Sequence, residues 1–169
     1  MDNRILEALY CTYRKEIMLY LFSICGNWAV AEDLQQEVFL KALLSIPKNY
    51  DNIRAWLYKI ARNLCLNYMK QEKRIVFINN FLETEDLHVC GNDLLDIYIE
   101  KEQFRMLYKA LLKLSTLKKE ILELQYFGNF SLKEIAQLLN LSHENVRILK
   151  MRAKIDLKKI LKEDGYEIS

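Results

Sequence analysis

The stretch AEDLQQEVFLKAL, from Ala31 to Leu43, gathers carboxylates and amides on a segment that is otherwise strongly helical. Its first turns hold Glu32, Asp33 and Glu37 beside two consecutive glutamines. The positive end of a helix dipole favours acids, which explains Glu32 and Asp33 but not Glu37 or the glutamines. Carboxylates and amides on one helical face can accept charge-assisted hydrogen bonds from arginines of a partner helix. The chemistry that this stretch suggests is therefore binding to a basic partner.

The charges elsewhere are distributed in blocks, although the 169 residues carry a formal net charge of only +2. Ile53 to Arg74 has six basic residues and one acidic, which is net +5. Glu83 to Glu102 has seven acidic and one basic, net −6, and Arg147 to Lys162 has seven basic and one acidic, net +6. Two basic blocks separated by an acidic stretch predict two polyanion-facing modules joined by a connector that does not bind.

The residues typical of catalysis and metal binding do not occur in working combinations. No pair of cysteines has the spacing of a zinc knuckle or a redox CxxC motif, and most cysteines have apolar neighbours, as buried reduced thiols do. The two histidines lack metal-ligand spacing, and no nucleophile–base pair, phosphate loop or carboxylate dyad is visible. The residues concerned are Cys11, Cys25, Cys65, Cys90, His88 and His143. We therefore predict no enzymatic activity, no metal and no cofactor.

The N-terminal sequence and the apolar runs bear on the cellular location. MDNRILEALY is charged and lacks the apolar segment of a secretory signal. The longest apolar run, MLYLFSIC, is too short to cross a bilayer. The sequence therefore predicts a cytoplasmic protein without membrane insertion.

Apolar residues recur at helical spacing almost throughout, and only five residues are Gly or Pro. This predicts an all-α fold of two small helical domains, 1–74 and 94–169, joined by a linker over 75–93, which has no clear period apart from a possible short helical piece at NNFL. The predicted helices run from about Asn3 to Cys25, Val30 to Ser45, Asn52 to Lys73, Leu94 to Leu114 and Lys118 to Phe127, followed by a helix pair from Ser131.

The helix pair, SLKEIAQLLNLSHENVRILKMRAK, has the layout of a helix-turn-helix. Ser131 and Glu134 form a capping box, Asn140 suits the turn, and Ser142 caps the second helix. A basic second helix can enter the major groove of DNA. The alternative is an ordinary hairpin with a solvated charged face, which the lopsided charge disfavours. The predicted duplex contacts are Ser142, Glu144, Asn145, Arg147, Ile148, Lys150, Met151 and Lys154.

The other basic block, NIRAWLYKIARNLCLNYMKQEKR, mixes cations and amides with aromatic residues. Trp56 and Tyr68 fit its apolar stripe, whereas Tyr58 lies off that stripe. Basic groups suit phosphates, amides suit bases, and the preceding loop could pocket an unstacked base. By composition alone a solvated helix face is equally well supported. The predicted contacts to a DNA strand are Lys48, Asn49, Tyr50, Asn52, Arg54, Lys59, Arg62, Asn63 and Asn67.

Together, AEDLQQEVFLKAL, the basic block and LSTLKKEILELQYFGNFSLKEIAQLLNLSHENVRILKMRAK resemble the extracytoplasmic-function (ECF) group of bacterial RNA polymerase sigma factors. The resemblance covers nearly the whole chain apart from 75–93. It implies that Asp33, Gln36 and Glu37 dock on the clamp coiled coil of the largest subunit of core RNA polymerase. Leu34 enters this predicted set as a neighbouring apolar contact or as a core residue.

The same resemblance implies two DNA-binding roles. The loop 45–52 and the third helix would open the minus-ten promoter element and hold its non-template strand. The helix-turn-helix would bind the duplex minus-thirty-five element. The implied partners are core RNA polymerase, promoter DNA and an anti-sigma factor that clamps the free protein. When it is free of partners, the protein is expected to be a monomer.

The sequence departs from the family pattern at two places. Leu114 and Ser115 stand where the family usually has Leu-Pro. Leu149 and Lys150 stand where the family commonly has Arg followed by a buried Leu. The second departure leaves two alternatives: either the recognition helix is slightly rotated, or the Lys150 side chain extends along it.

Two other classes of protein remain open on the sequence. A helix-turn-helix regulator would bind duplex DNA tightly without polymerase. A helical adaptor would bind only protein and would show no salt-dependent affinity for DNA.

Overall fold

The computed structural model describes residues 3–47, 52–79, 98–99 and 101–166. These residues form seven helices and no strand, which confirms the predicted all-α class. The chain divides into two compact units, Met1–Gly91 and Asn92–Ser169. The predicted domain limits at residues 74 and 94 remain predictions.

The N-terminal unit packs three helices, α1 (Asn3–Cys25), α2 (Trp28–Ser45) and α3 (Ile53–Asn79). Every residue of α1 from 17 to 24 is buried, so its C-terminal half is the centre of this unit. Gly26 turns the chain with φ +69°, a conformation that glycine adopts without steric cost. The Val30 N–H then donates to the Asn27 side chain at 3.1 Å, so Asn27 is the N-cap of α2. The helix begins at Trp28, two residues before its predicted start at Val30.

Aromatic residues join α1 to its two neighbours. The rings of Tyr20 and Tyr58 lie 5.0 Å apart, and those of Phe22 and Trp28 lie 4.9 Å apart. Tyr58 is only 2% exposed, so its predicted position off the apolar stripe was wrong. The face of α3 that packs inward is broader than the stripe, because Leu57 and Tyr58 are buried side by side.

The predicted start of α3 is confirmed, whereas its end is not. The Ala55 N–H donates to the Asn52 side chain at 3.0 Å, the bond expected of an N-cap. The helix continues to Asn79, beyond the predicted end near Lys73. No Gly or Pro interrupts 74–79, so each added residue can gain a helical hydrogen bond. The rest of the predicted linker, including most of the piece at NNFL, lies outside the described residues.

The C-terminal unit contains α4 (Glu102–Leu111), α5 (Thr116–Tyr126), α6 (Leu132–Leu139) and α7 (His143–Glu163). The prediction of one helix from Leu94 to Leu114 was wrong, because Ile99 is not helical and Lys101 is extended, with φ −84° and ψ 119°. One buried cluster joins α4, α5 and α7. Its members are Ala110, Leu111, Leu114, Leu122, Ala153 and Leu157.

The helix-turn-helix is confirmed by its local geometry. Ser131 and Glu134 form the predicted capping box. Asn140 has φ 56°, the left-handed conformation that asparagine tolerates better than most residues. The Leu141 N–H then donates to the Ala136 carbonyl at 2.9 Å, and Ser142 caps α7 by accepting from the Asn145 N–H at 3.1 Å.

Candidate binding surfaces

The acidic stretch of α2 separates into an exposed face and a buried one. Asp33, Gln36 and Glu37 are exposed and share one side of the helix. Leu34 is buried, and the Gln35 side chain turns inward to donate to the Arg14 carbonyl oxygen. The structure thus brings together three of the four residues predicted to bind polymerase, and Leu34 packs beneath them in the core.

The exposed acidic face is only weakly neutralised within the chain. The Glu37 carboxylate lies 3.6 Å from the Lys41 ammonium, one turn further along, and both side chains are about half exposed. Exposed pairs of this kind are typically worth less than about 1 kcal/mol, because water screens them. A partner's guanidinium can therefore replace Lys41 at little cost.

Sequence reasoning missed an apolar continuation of this face. Leu40 and Leu44 are 56% and 76% exposed. They follow Asp33 and Glu37 in steps of four, three and four residues, which places all four on one side of the helix. That spacing was the available signal. We name Asp33, Gln36, Glu37, Leu40 and Leu44 the α2 face.

The basic block of α3 also presents an exposed stripe. Lys59, Asn63, Asn67 and Lys70 are exposed and follow one another in steps of four, four and three residues. One side of α3 therefore carries two amides between two cations, the mixture that the sequence predicted for a strand-binding surface. Arg62 is half-buried beside this stripe.

Other predicted strand contacts have structural partners within the N-terminal unit. The Arg54 Nε lies 3.4 Å from a carboxylate oxygen of Glu16, and the Tyr58 hydroxyl donates to the same oxygen at 3.0 Å. Asn52 caps α3. These contacts tie α3 to α1 and fix where α3 begins. The predicted contacts Lys48, Asn49 and Tyr50 lie outside the described residues.

The helix-turn-helix presents a basic groove beside α7. Leu132, Arg147, Lys150, Met151 and Lys154 line it. Lys150 is half-buried there, while Val146, Ala153 and Leu157 keep the buried stripe in register. Leu149 and Lys150 are both half-buried, and the two alternatives for this departure remain predictions.

The N-terminal turns of α7 carry further exposed polar groups. Arg147 and Glu144 form an exposed ion pair at 3.3 Å, and Asn145 is exposed beside them. The Lys154 ammonium lies 5.9 Å from the ring centre of Tyr126, an exposed residue at the end of α5. Sequence reasoning missed Tyr126, because only the packing of α5 against α7 brings it to this surface.

Metal-ligating side chains and long apolar helices are two further features of the described residues. Within that part of the chain, no group of three or more His, Cys, Asp or Glu side chains is arranged to hold a metal ion. None of the helices described is both long enough and apolar enough to cross a membrane.

Comparison with known families places both halves of the chain. Residues 9–75 match Sigma-70 region 2, and residues 104–157 match Sigma-70, region 4. The first match covers the α2 face and most of α3, and the second covers the helix-turn-helix. The order of the two regions is the order that the resemblance predicted.

Individual relatives are similar over nearly their full length. The RNA polymerase sigma factor YlaC of Bacillus subtilis is 32% identical over 165 residues, which cover 96% of this chain and 95% of the relative. The ECF RNA polymerase sigma factor SigM of the same organism is 27% identical, over 90% and 93% of the two chains. The fold resembles that of the sigma factor RpoE from Bartonella quintana, solved with the anti-sigma factor NepR, with a TM-score of 0.75 and 23% identity over 95% of this chain and 98% of that one.

The chain belongs to the ECF group of RNA polymerase sigma factors. It directs RNA polymerase to promoters, which confirms the predicted function. A helix-turn-helix regulator that acts without polymerase is not favoured, because the chain matches Sigma-70 region 2 as well as region 4 and its relatives are RNA polymerase sigma factors. Sigma factors are not a catalytic class in themselves.

Proposed function

We propose that the two units divide the work of promoter recognition. The N-terminal unit docks on core RNA polymerase through the α2 face and holds the opened minus-ten strand along α3. The C-terminal unit binds the duplex minus-thirty-five element through α7. The observation that carries this proposal is the coincidence of an exposed acidic face and an exposed basic stripe within the segment that matches region 2.

The polymerase-docking step rests on the chemistry of the α2 face. Asp33, Gln36 and Glu37 supply acceptors for arginines of a partner helix. Leu40 and Leu44 add apolar area next to them, which an interface core can bury. Leu34 is buried, so it contributes by packing α2 against the core of the unit. The partner surface is accordingly a helix that carries both arginines and apolar residues, and we propose that it is the clamp coiled coil implied by the resemblance.

A pull-down of purified core polymerase tests this step. The triple variant Asp33→Ala, Gln36→Ala, Glu37→Ala is expected to lose most binding, and Leu44→Ala to weaken it several-fold. Glu7→Ala is the control, because Glu7 is an exposed acid of the same unit that lies on α1 rather than on the α2 face. If Glu7→Ala weakens binding as much as the triple variant, net charge rather than the α2 face is responsible and the proposal is wrong.

The strand-holding step rests on the exposed side chains of α3. Lys59 supplies charge for phosphates, and Asn63 and Asn67 supply the donor and acceptor pairs that suit base edges. Asn52 and Arg54 support this surface through the contacts that hold α3 in place, and Arg62 lies half-buried beside the exposed stripe. We also include Lys48, Asn49 and Tyr50, whose loop precedes α3 in sequence.

Promoter opening measures this step directly. With core polymerase present, permanganate modification of unpaired thymines should fall in Asn63→Ala and Asn67→Ala variants that still bind core. Lys15→Ala, which removes an exposed cation from α1, should open promoters normally. Equal opening by the asparagine variants and the wild type would contradict the assignment.

An anti-sigma factor is proposed as a regulatory partner. The sigma factor RpoE was solved in complex with one, and this chain leaves large apolar side chains such as Leu40 and Leu44 exposed. The expected result is capture of an inhibitory protein from the cytosol of the source cell, with loss of transcription on its addition. A purified chain that is fully active with polymerase, and to which no inhibitor from that cytosol binds, would rule the partner out.

The remaining assignments follow from the class. We propose that the chain has no enzymatic activity of its own, uses no cofactor, acts in the cytoplasm and is a monomer when free. Polymerase supplies the chemistry of RNA synthesis. Run-off transcription with purified core enzyme on a randomised promoter library tests the function as a whole, and it fails if no template is ever transcribed.

A further inference from the structure

The outward face of α7 is apolar along its centre. Ile148, Met151 and Ile155 follow one another in steps of three and four residues, on the side opposite the buried Val146 and Ala153. Met151 is 57% exposed, Ile155 is 61% exposed, and Ile148 is half-buried. Large apolar side chains are thus exposed to solvent near the middle of a helix that is otherwise strongly basic.

Cations border this apolar strip on both sides. Arg147, Lys150 and Lys154 lie along one edge, and Arg152 and Lys159 lie along the other. An apolar centre between two cationic edges complements the major groove, where phosphates line both sides and the thymine C5-methyl group projects from the floor. This charge pattern favours duplex DNA over an apolar protein surface as the occupant.

The length of the helix limits which side chains can reach bases. From the first turn of α7 to Met151 the helix rises about 10 Å. Three base-pair steps of DNA also rise about 10 Å, so this part of the helix can span about three base-pair steps. Residues near the N-terminus of a recognition helix contact base edges. Ile155 lies one further turn, about 6 Å, toward the C-terminus. Ile148 and Met151 are therefore the apolar side chains within reach.

We propose that α7 recognises its duplex element by packing Ile148 and Met151 against thymine methyl groups, while the flanking cations fix the register on the phosphates. The inference rests on the proposed role of the helix-turn-helix as the reader of duplex promoter DNA. It names the readout chemistry: apolar contact to thymine, in an element that must contain thymine where these side chains lie.

Replacement of thymine by deoxyuridine isolates that chemistry, because it removes only the methyl group and leaves the hydrogen-bonding edges unchanged. The best template from the promoter library is rebuilt with single deoxyuridine substitutions across the upstream element. Run-off initiation is then measured with core enzyme. Burial of one methyl group is worth about a fourfold change in affinity. At one or two thymine positions we therefore expect initiation at limiting protein to fall about fourfold.

Variants assign the contact to a side chain. Met151→Ala should initiate less well from the thymine template and should lose the uracil penalty at one position. Ile148→Ala should do the same at a neighbouring position. Ile155→Ala is the matched control, since it removes an equally exposed apolar group but should keep every uracil penalty. Circular dichroism of each variant confirms that α7 is intact.

The outcomes separate this inference from the function beneath it. If no template supports initiation, the proposed function fails. If initiation occurs but uracil substitution changes nothing at any position, the function stands and the thymine readout is wrong. If Met151→Ala and Ile148→Ala initiate normally but no longer bind a protein partner, the strip is a protein-docking surface and the inference is overturned.

Discussion

Single residues decide how the C-terminal unit turns from its supporting helices into the helix-turn-helix. Gly128 is buried, and a Cβ atom added there would lie 2.5 Å from the Leu124 carbonyl oxygen and 2.8 Å from the Phe130 ring. Neither the backbone oxygen nor the buried ring can move away easily. We expect Gly128→Ala to lower the free energy of unfolding by about 1–3 kcal/mol, measured by urea denaturation.

The neighbouring residue provides the control for that prediction. Asn129 has φ 53°, which glycine adopts at least as readily. Asn129→Gly adds no volume and keeps the left-handed conformation, so it should change the free energy of unfolding much less than Gly128→Ala does. Equal stability of Gly128→Ala and the wild type would show that the turn relaxes and that the predicted clash is absent.

Tyr68 makes a second prediction at the scale of one residue. Burial, together with a hydrogen bond to Glu72, raises its pKa from 10.0 to about 12. Because the folded state binds the phenolic proton more tightly, the stabilisation is fully present below pH 10 and is lost as the pH rises toward 12. Difference absorbance between the wild type and Tyr68→Phe, recorded from pH 9 to 13, isolates this ionisation.

Glu72 provides the test of cause. Glu72→Gln removes the negative charge that opposes phenolate formation, so the pKa of Tyr68 should fall toward its ordinary value while burial keeps it somewhat raised. A transition that stays at the same pH in Glu72→Gln would show that the carboxylate has no part in it.

At this scale the sequence predicted the composition of each surface better than the orientation of each side chain. Gln35 and Gln36 are adjacent and chemically identical, yet one is buried and the other exposed. Tyr58 looked polar-facing but fills the space between α1 and α3. The helical period predicts which side of a helix packs inward. It does not predict whether residues at the edge of that side are buried or exposed, because this depends on the neighbouring helices.

Elements were predicted well where local chemistry determines their ends. The caps at Asn52, Ser131 and Ser142 all form as expected, because each needs only a side-chain oxygen and a nearby N–H. The end of α3 and the start of α4 were predicted wrongly, near Lys73 instead of Asn79 and at Leu94 instead of Glu102. No capping side chain marks Lys101, so the break before α4 depends on packing that the local sequence does not reveal.

The capping box gives a prediction for α6 as an element. Ser131→Ala removes the acceptor for the Glu134 N–H, which lies 3.2 Å from the hydroxyl. We expect a loss of about 1 kcal/mol in the free energy of unfolding, with normal initiation at temperatures where the unit stays folded. Thermal denaturation followed by circular dichroism measures the first, and run-off transcription the second.

Ser142 should behave differently, although its cap is chemically the same. Ser142→Ala should cost a similar free energy of unfolding, since the Asn145 N–H loses its acceptor at 3.1 Å. It should also weaken initiation, because Ser142 is a proposed duplex contact. If both alanine variants impair initiation equally, helix stability alone explains the effect and Ser142 makes no direct contact.

On the scale of the whole molecule, charge blocks and helical spacing predicted two modules, and the chain does form two compact units. The exact limits could not be predicted, because helical hydrogen bonding carries α3 to Asn79, past the last periodic apolar residue. The charge of each module predicted that it would bind a polyanion. The exposure of Leu40, Leu44 and Ile155 could be identified only from the structure.

Two units with two separate tasks make a prediction that neither surface makes alone. Leu122 is fully buried in the cluster of α4, α5 and α7, and Leu122→Ala should destabilise that cluster by about 2–5 kcal/mol. The α2 face lies in the other unit. At a temperature that unfolds only the weakened unit, the variant should still bind core polymerase in a pull-down while losing initiation from promoters that need the upstream element. A sigma factor must both dock on polymerase and recognise promoters. A variant that only docks would occupy polymerase and compete with the wild type. Loss of core binding in parallel with initiation would instead show that docking needs the C-terminal unit, and the division of work would have to be abandoned.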